Sequence, residues 1–446
     1  DTYIVDSSGD SVVEAVGGGS DTVIASASFA LADGQEIETL RTWGSSTTYA
    51  ADLTGNEFAN VLVGNAAGNL LDGAAGADAM YGYGGDDSYR VDHPADVVVE
   101  APGGGSDEII AATSYVLRPG QEIELLRTLG SATSYAADLA GNGFAQTLVG
   151  NAGDNRLNGG GGADVMYGYA GNDTFYIDDA GEIVGEAPGG GSDTVITRVS
   201  FALAAHQEVE LLRTYGSATN YLADLTGNGF AQTIVGNAAP NRIDGGGGDD
   251  AMYGYGGNDT YYVDDPGDRV FERRGDGFDI VIAGASFVLG AGQEVEVLRT
   301  EGSATTAVID LTGNEFDNVM YGNAAANRLN GGGGIDTMTG WAGDDTYYVD
   351  RYGDRTIEAV DGGSDTVITN TSYALHTGQE IETLRTWGSS TTTPINLLGN
   401  EFANSLLGNA ASNVLHGGGG ADTMYGFAGD DTYFVDNAGD AVFEAA

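Results

Sequence analysis

Aspartate is the residue with chemistry to offer in this chain, and it returns in glycine-rich surroundings at fixed intervals. The stretch from Gly55 to Arg90 reads as four nine-residue units in tandem: GNEFANVLV, GNAAGNLLD, GAAGADAMY and GYGGDDSYR. Each unit opens on Gly, carries Asn or Asp at its sixth place and has an apolar residue at its eighth. A turn rich in glycine can adopt positive φ and aim several carbonyls at one point. A carboxylate from the same loop adds a charged oxygen. Together these make the donor set of a hard divalent cation, which takes about six to eight oxygens.

The block repeats with one step. Gly64-Asn65 returns as Gly150-Asn151, Gly236-Asn237, Gly322-Asn323 and Gly408-Asn409, always 86 residues on. DTYIVDSSGDSVVEA from Asp1 returns as DTYFVDNAGDAVFEA from Asp431. The chain therefore divides into a partial repeat over 1–54, repeats over 55–140, 141–226, 227–312 and 313–398, and a partial repeat over 399–446. No insertion or deletion breaks the register. Such strictness argues for units that stack, because a change of length would shift every contact across a junction.

The third and fourth units approach G-G-x-G-x-D-x-U-x, and on these residues the chain resembles the RTX (repeats-in-toxin) family of calcium-binding nonapeptide proteins. The resemblance implies an all-β fold: a right-handed parallel β-roll or β-helix with two nonapeptides per coil, holding several Ca²⁺ ions per repeat between stacked turns. It implies carboxylate ligands at Asp78 and Asp87 and at their copies Asp164, Asp173, Asp250, Asp259, Asp336, Asp345, Asp422 and Asp431. The looser units that follow add Asp92, Asp96 and Asp107. Their copies are Asp6, Asp10 and Asp21; Asp178 and Asp193; Asp264, Asp268 and Asp279; Asp350, Asp354 and Asp365; and Asp436 and Asp440. Glu182 departs at the Asp96 place, while Glu100 is Glu in every copy and either completes a site or bridges. The first two nonapeptides depart further, with Asn60, Asn69, Gln146 and Asn155 at the sixth place, where side-chain ladders or weaker sites are expected.

Composition narrows the alternatives. The 446 residues hold 66 acidic against 16 basic side chains, a net charge of −50. Such a surface is a poor partner for nucleic acid or anionic membrane, since phosphate binding relies on Lys and Arg. About five divalent ions would neutralise each period. The 74 Gly fall at a spacing of nine, not three, which excludes collagen. The 23 Tyr and 14 Phe with their apolar periodicity argue against a disordered acidic tail. No apolar run approaches a membrane span. With no Cys, metal is left to do the stapling that disulfides do elsewhere. The chain starts and stops inside motifs and reads as a window cut from a longer one.

Each nonapeptide has room for a turn of about six residues and a strand of about three, too short to stand alone. The eighth-place residues Leu62, Leu71, Met80, Tyr89, Val98 and Ile109 are expected to point inward, and Met80 with its copies Met166, Met252, Met338 and Met424 reads as a core stripe. The less glycine-rich half of the period offers Thr22–Ser26, Ser28–Leu31 and Gln35–Thr42 as further strands of wider coils. Helix is expected to be scarce. The fixed row Arg41, Arg127, Arg213, Arg299 and Arg385 either pairs with Glu and caps carbonyls or binds a ligand. Trp43, Trp341 and Trp387 are expected to be exposed.

No catalytic role is expected. The four His residues fall at four different places in the period, and neither G-x-S-x-G nor H-E-x-x-H is present. The expected function is that of a calcium-dependent extracellular structural protein, a stalk, fibre, matrix or surface-layer solenoid able to self-associate end to end or laterally. The alternative is the secretion and folding module of a larger secreted enzyme, toxin or adhesin. The resemblance implies a bacterial protein exported unfolded by a type I channel and folding when it meets calcium outside the cell. A carbohydrate- or ice-binding adhesin that meets cell surfaces or glycans through the Thr-rich tract 45–52 forms a third reading; the Thr rows of an ice binder should recur in every coil, and here the match is poor.

Overall fold

A turn of six residues followed by a strand of three buries almost nothing by itself, so the chain gains stability by laying each short strand on one from the neighbouring coil. The computed structural model describes residues 1–100 and 102–444 and shows this arrangement throughout. The described residues contain no helix. Every strand pair within the two compact units, Asp1–Tyr215 and Gly216–Ala446, is parallel.

In the first unit, Val61–Val63 pairs with Ala79–Tyr81, and Leu70–Asp72 pairs with Ser88–Val91 on a second sheet. The register is Leu62↔Met80 and Leu71↔Tyr89, so one coil is 18 residues, or two nonapeptides. Elsewhere the coil stretches. Ser88↔Glu108 spans 20 residues, Thr22↔Thr39 spans 17 and Phe29↔Leu53 spans 24. The wider coils therefore belong to the same solenoid.

Thr147–Val149 is the ninth strand after its copy Val61–Val63 among the described residues, an odd step. Because strands alternate between sheets, the copy lands on the opposite sheet: Val61–Val63 pairs with Thr39–Thr42, whereas Thr147–Val149 joins Leu125–Thr128 and Val165–Tyr169 on the sheet that holds Leu70–Asp72. Residues 86 apart thus face opposite ways. The second unit repeats the pattern. Thr233–Val235, Ala251–Tyr253 and Arg269–Phe271 pair on one sheet, while Val319–Tyr321 joins Val297–Thr300 on the other.

The middle residue of each short strand points inward. Leu62, Leu71, Met80, Tyr89, Val98 and Ile109 are fully buried, as are all five methionines of the Met80 row. Each such side chain is worth about 1.5–3 kcal/mol of burial, and the core is one narrow stack of them. The run from Gln35 to Glu38 is not strand; only Thr39–Thr42 pairs. Its alternating pattern serves another end, described below. The conserved-place arginines are half-buried on outward strand positions. Arg127 pairs with Glu108, whereas the copies of Glu108 are Thr22, Thr194, Ile280 and Thr366, and Arg213 instead donates to the Thr214 carbonyl at 3.2 Å.

The core is a thin layer between two facing sheets, Leu62 coming from one and Leu71 from the other, and it has little room to relax. Met166→Ala is expected to cost about 2–5 kcal/mol, read as a lower urea midpoint in saturating calcium; an unchanged midpoint would contradict a close-packed methionine row.

Candidate metal centre

The sixth-place residues line up along the two edges of the roll. On one edge the Asn60 N–H donates to Asp78 Oδ1 at 2.7 Å, and the Asp78 N–H donates to Asp96 Oδ1 at 3.0 Å. On the other, Asn69 N–H donates to Asp87 Oδ1 at 2.7 Å, Asp87 N–H to Asp107 Oδ1 at 2.8 Å, and Asp107 N–H to Glu124 Oε2 at 2.7 Å. Each rung is thereby tied to the next by a charge-assisted bond. The same chain of bonds recurs through Asp164 and Asp173, Asp250 and Asp259, Asp336 and Asp345, and Asp422 and Asp431.

Asn and Asp behave differently at this place. The Asn60 amide donates to the Ile37 carbonyl at 2.7 Å, and its Oδ1 accepts the Asn56 N–H at 2.8 Å, so the side chain is satisfied. Asn69 does the same with Ala51 and Asn65. These are the side-chain ladders expected of the first two nonapeptides. The aspartates use only one oxygen. Oδ2 of all ten, Asp78, Asp87, Asp164, Asp173, Asp250, Asp259, Asp336, Asp345, Asp422 and Asp431, is buried without a hydrogen-bond partner. An unsatisfied charged oxygen in the interior is strongly unfavourable.

These bare oxygens sit against the glycines that open their own turns. A Cβ on Gly73 would lie 2.5 Å from Asp78 Oδ2, and one on Gly82 only 2.2 Å from Asp87 Oδ2. Gly76 and Gly85, at φ +134° and +97°, give the turn the left-handed backbone that its carbonyls need. The residues fit a hard cation: buried carboxylate oxygens without donors, set against the glycines of their own turns.

Where the 20-residue coil stacks on the fourth nonapeptide, a third acid enters. One carboxylate oxygen from each of Asp87, Glu100 and Asp107 lies within 4.8 Å of the others, all three residues being buried. The group recurs as Asp173, Glu186 and Asp193; Asp259, Glu272 and Asp279; and Asp345, Glu358 and Asp365, with Asp1, Glu14 and Asp21 as a partly exposed copy. Glu100 therefore joins the acidic cluster and is no mere bridge. The Tyr89 hydroxyl, from the core, donates to it. Tyr261 and Tyr347 do the same for Glu272 and Glu358, whereas Phe175 has no hydroxyl and Glu186 Oε1 is bare.

The Gln35–Glu38 type of run holds this loop in place. Glu122 and Glu124 accept the N–H groups of Gly103 and Asp107, and Glu36 and Glu38 do so for Gly17 and Asp21. Sequence reasoning took the alternation of this run for a strand and missed it as a clamp. The remaining acids stand apart. Asp96 has both oxygens in use, Oδ1 on the Asp78 N–H of the preceding coil and Oδ2 on its own turn, where it accepts from Asp92 and His93 N–H at 3.1 and 3.0 Å, and Asp10, Asp268, Asp354 and Asp440 close equivalent turns. Glu182 accepts the Asp178 N–H at 2.9 Å and keeps Oε1 bare. Asp6, Asp92, Asp178, Asp264, Asp350 and Asp436 are exposed at the turn surface, outside the buried groups.

Burial dominates the electrostatics. It pushes Asp78, Asp87 and Asp107 up to about 7 against the pull of their backbone hydrogen bonds, with neighbouring carboxylates adding to the rise. Glu186 is pushed up to about 8 and Glu272 to about 9, again by burial first. A carboxyl held up this way binds its proton more tightly folded than unfolded, where its value is near 4. The metal-free fold is therefore favoured below about pH 4 and loses that contribution as pH rises through about 7. Calcium-stripped protein is expected to lose β-sheet circular dichroism and thermal stability between pH 5 and pH 8, with calcium restoring both at pH 8. Stability that rises with pH in calcium-free buffer would contradict this.

A cation bound here supplies the positive charge that lets these carboxylates stay ionised together. Comparison with known families agrees with the geometry: the model of the RTX calcium-binding nonapeptide repeat (4 copies) matches residues 54–89, 140–175, 226–261, 311–351 and 398–440. No curated protein matches the chain. The matched segments contain the ten sixth-place aspartates named above, one pair in each of the five, whereas Asp21, Asp193 and Asp365, whose Oδ2 is bare as well, lie outside them. The chain is a parallel β-solenoid carrying RTX calcium-binding nonapeptide repeats in every one of its periods.

Proposed function

We propose that this is a secreted structural protein, a solenoid that hardens on meeting extracellular calcium and associates with copies of itself. The observation that carries the reading is the bare second oxygen of every nonapeptide aspartate. Acids buried this way destabilise the coils at neutral pH until cations meet them, which ties folding to a calcium-rich compartment. Extracellular calcium-binding modules work at about 10⁻⁴–10⁻³ M calcium, far above the level inside cells.

The structural role is supported by regularity. Five periods keep one length of 86 residues. The odd strand count presents each surface feature alternately on both sides of a unit, which suits lateral packing into a layer. Negative-stain imaging of the chain in saturating calcium is expected to show ordered fibres or sheets that dissolve on chelation. Dispersed particles at all calcium levels would favour the secretion and folding module of a larger protein instead.

A further inference from the structure

One period departs from the others in a way that calcium does not explain. After the buried Glu of the 20-residue coil, four copies continue Ala15-Val16, Ala101-Pro102, Ala187-Pro188 and Ala359-Val360, but Glu272 is followed by Arg273-Arg274. In a chain of net charge −50, a pair of exposed arginines at one place is a departure, set among Glu272, Asp276 and Glu294.

The arginines line a cleft of about 380 Å³ together with Tyr253, Tyr255, Phe271 and Gln293. Tyr253 and Phe271 stack with ring centres 4.4 Å apart at 8°. Arg273 lies 5.8 Å from the centre of the Tyr255 ring, and Arg274 stands 3.9 Å from Glu294. Tyr255 has φ at 73°, as the aromatics at the same place in the other periods do: Tyr83, Tyr169, Trp341 and Phe427 all have positive φ. In the preceding nonapeptide the same place is Gly246, at φ +71°. Every period thus keeps a ring here at the expense of backbone strain, and only in this period does an arginine pair stand beside it.

We propose that this cleft binds an acidic saccharide, a sugar ring carrying one carboxylate. The C–H face of a pyranose stacks on tyrosine and phenylalanine rings, whose faces are electron-rich. Arg273 and Arg274 meet the carboxylate with charge-assisted hydrogen bonds. Asp276, which also lines the cleft, accepts sugar hydroxyls and repels a ligand of high charge density. A nucleic-acid strand, with a phosphate at every step, is disfavoured by the acidic surroundings. No residue of the Thr-rich tract lines the cleft, which borders the buried acidic cluster, since Glu272 belongs to both.

The test uses the full chain loaded with calcium and titrated calorimetrically with sialyllactose, with lactose as the neutral control in the same buffer. Sialyllactose is expected to bind at least about tenfold more tightly than lactose. The double variant Arg273→Ala, Arg274→Val, which installs the pair found after Glu14 and Glu358, is expected to lose about tenfold or more in affinity for sialyllactose, with far-UV circular dichroism and calcium uptake unchanged. Tyr255→Gly is expected to weaken binding while raising thermal stability. Equal binding of lactose, undiminished binding by the arginine variant, or no binding of sialyllactose at millimolar concentration would each overturn the proposal.

Discussion

A carboxylate oxygen buried without a donor is the constraint on which this molecule turns. Water cannot reach it, no lysine or arginine answers it, and its neighbours one coil away are carboxylates too. Hydrophobic burial along a narrow core must compete with that electrostatic burden in every period. Protons at low pH, or a cation at neutral pH, would relieve it, and the function proposed above rests on folding being coupled to metal uptake in this way.

The other oxygen of each aspartate explains the rigidity of the repeat. Because Oδ1 accepts the backbone N–H of the preceding rung, the side chain that faces the cation also sets the rise from coil to coil. A residue inserted between Asn69 and Asp87 would break the ladder and the strand register Leu71↔Tyr89 together. The second half of the period tolerates coils of 17 to 24 residues because backbone and Glu side chains there replace the carboxylate ladder. Tyr89 links the two systems, its ring in the core and its hydroxyl on Glu100.

Much of this was legible in the residues. The nine-residue spacing announced the 18-residue coil, the eighth-place apolar residues announced the core, and the change from Asn60 to Asp78 separated ladder from cation site. Glu100 was recognised as invariant among the copies, but its role needed the 20-residue coil to bring it beside Asp87 and Asp107. Gln121 to Glu124 misled, because Gln-Glu-Ile-Glu alternates as a strand does while its acids bond to main-chain N–H groups 17 and 19 residues back. Asp92 and Asp96 looked alike in sequence, yet Asp96 divides its oxygens between the ladder and its own turn while Asp92 is left exposed. The alternation of faces was hidden as well, since an 86-residue period does not reveal that it holds an odd number of strands.

The most direct test of the central claim is long-wavelength anomalous diffraction from crystals grown in calcium. The account predicts anomalous peaks beside Oδ2 of Asp78 and Asp87 and of their copies in each period, bridging turns of adjacent coils. Those oxygens bonded only to water or protein, with no peak at the glycine turns, would contradict it.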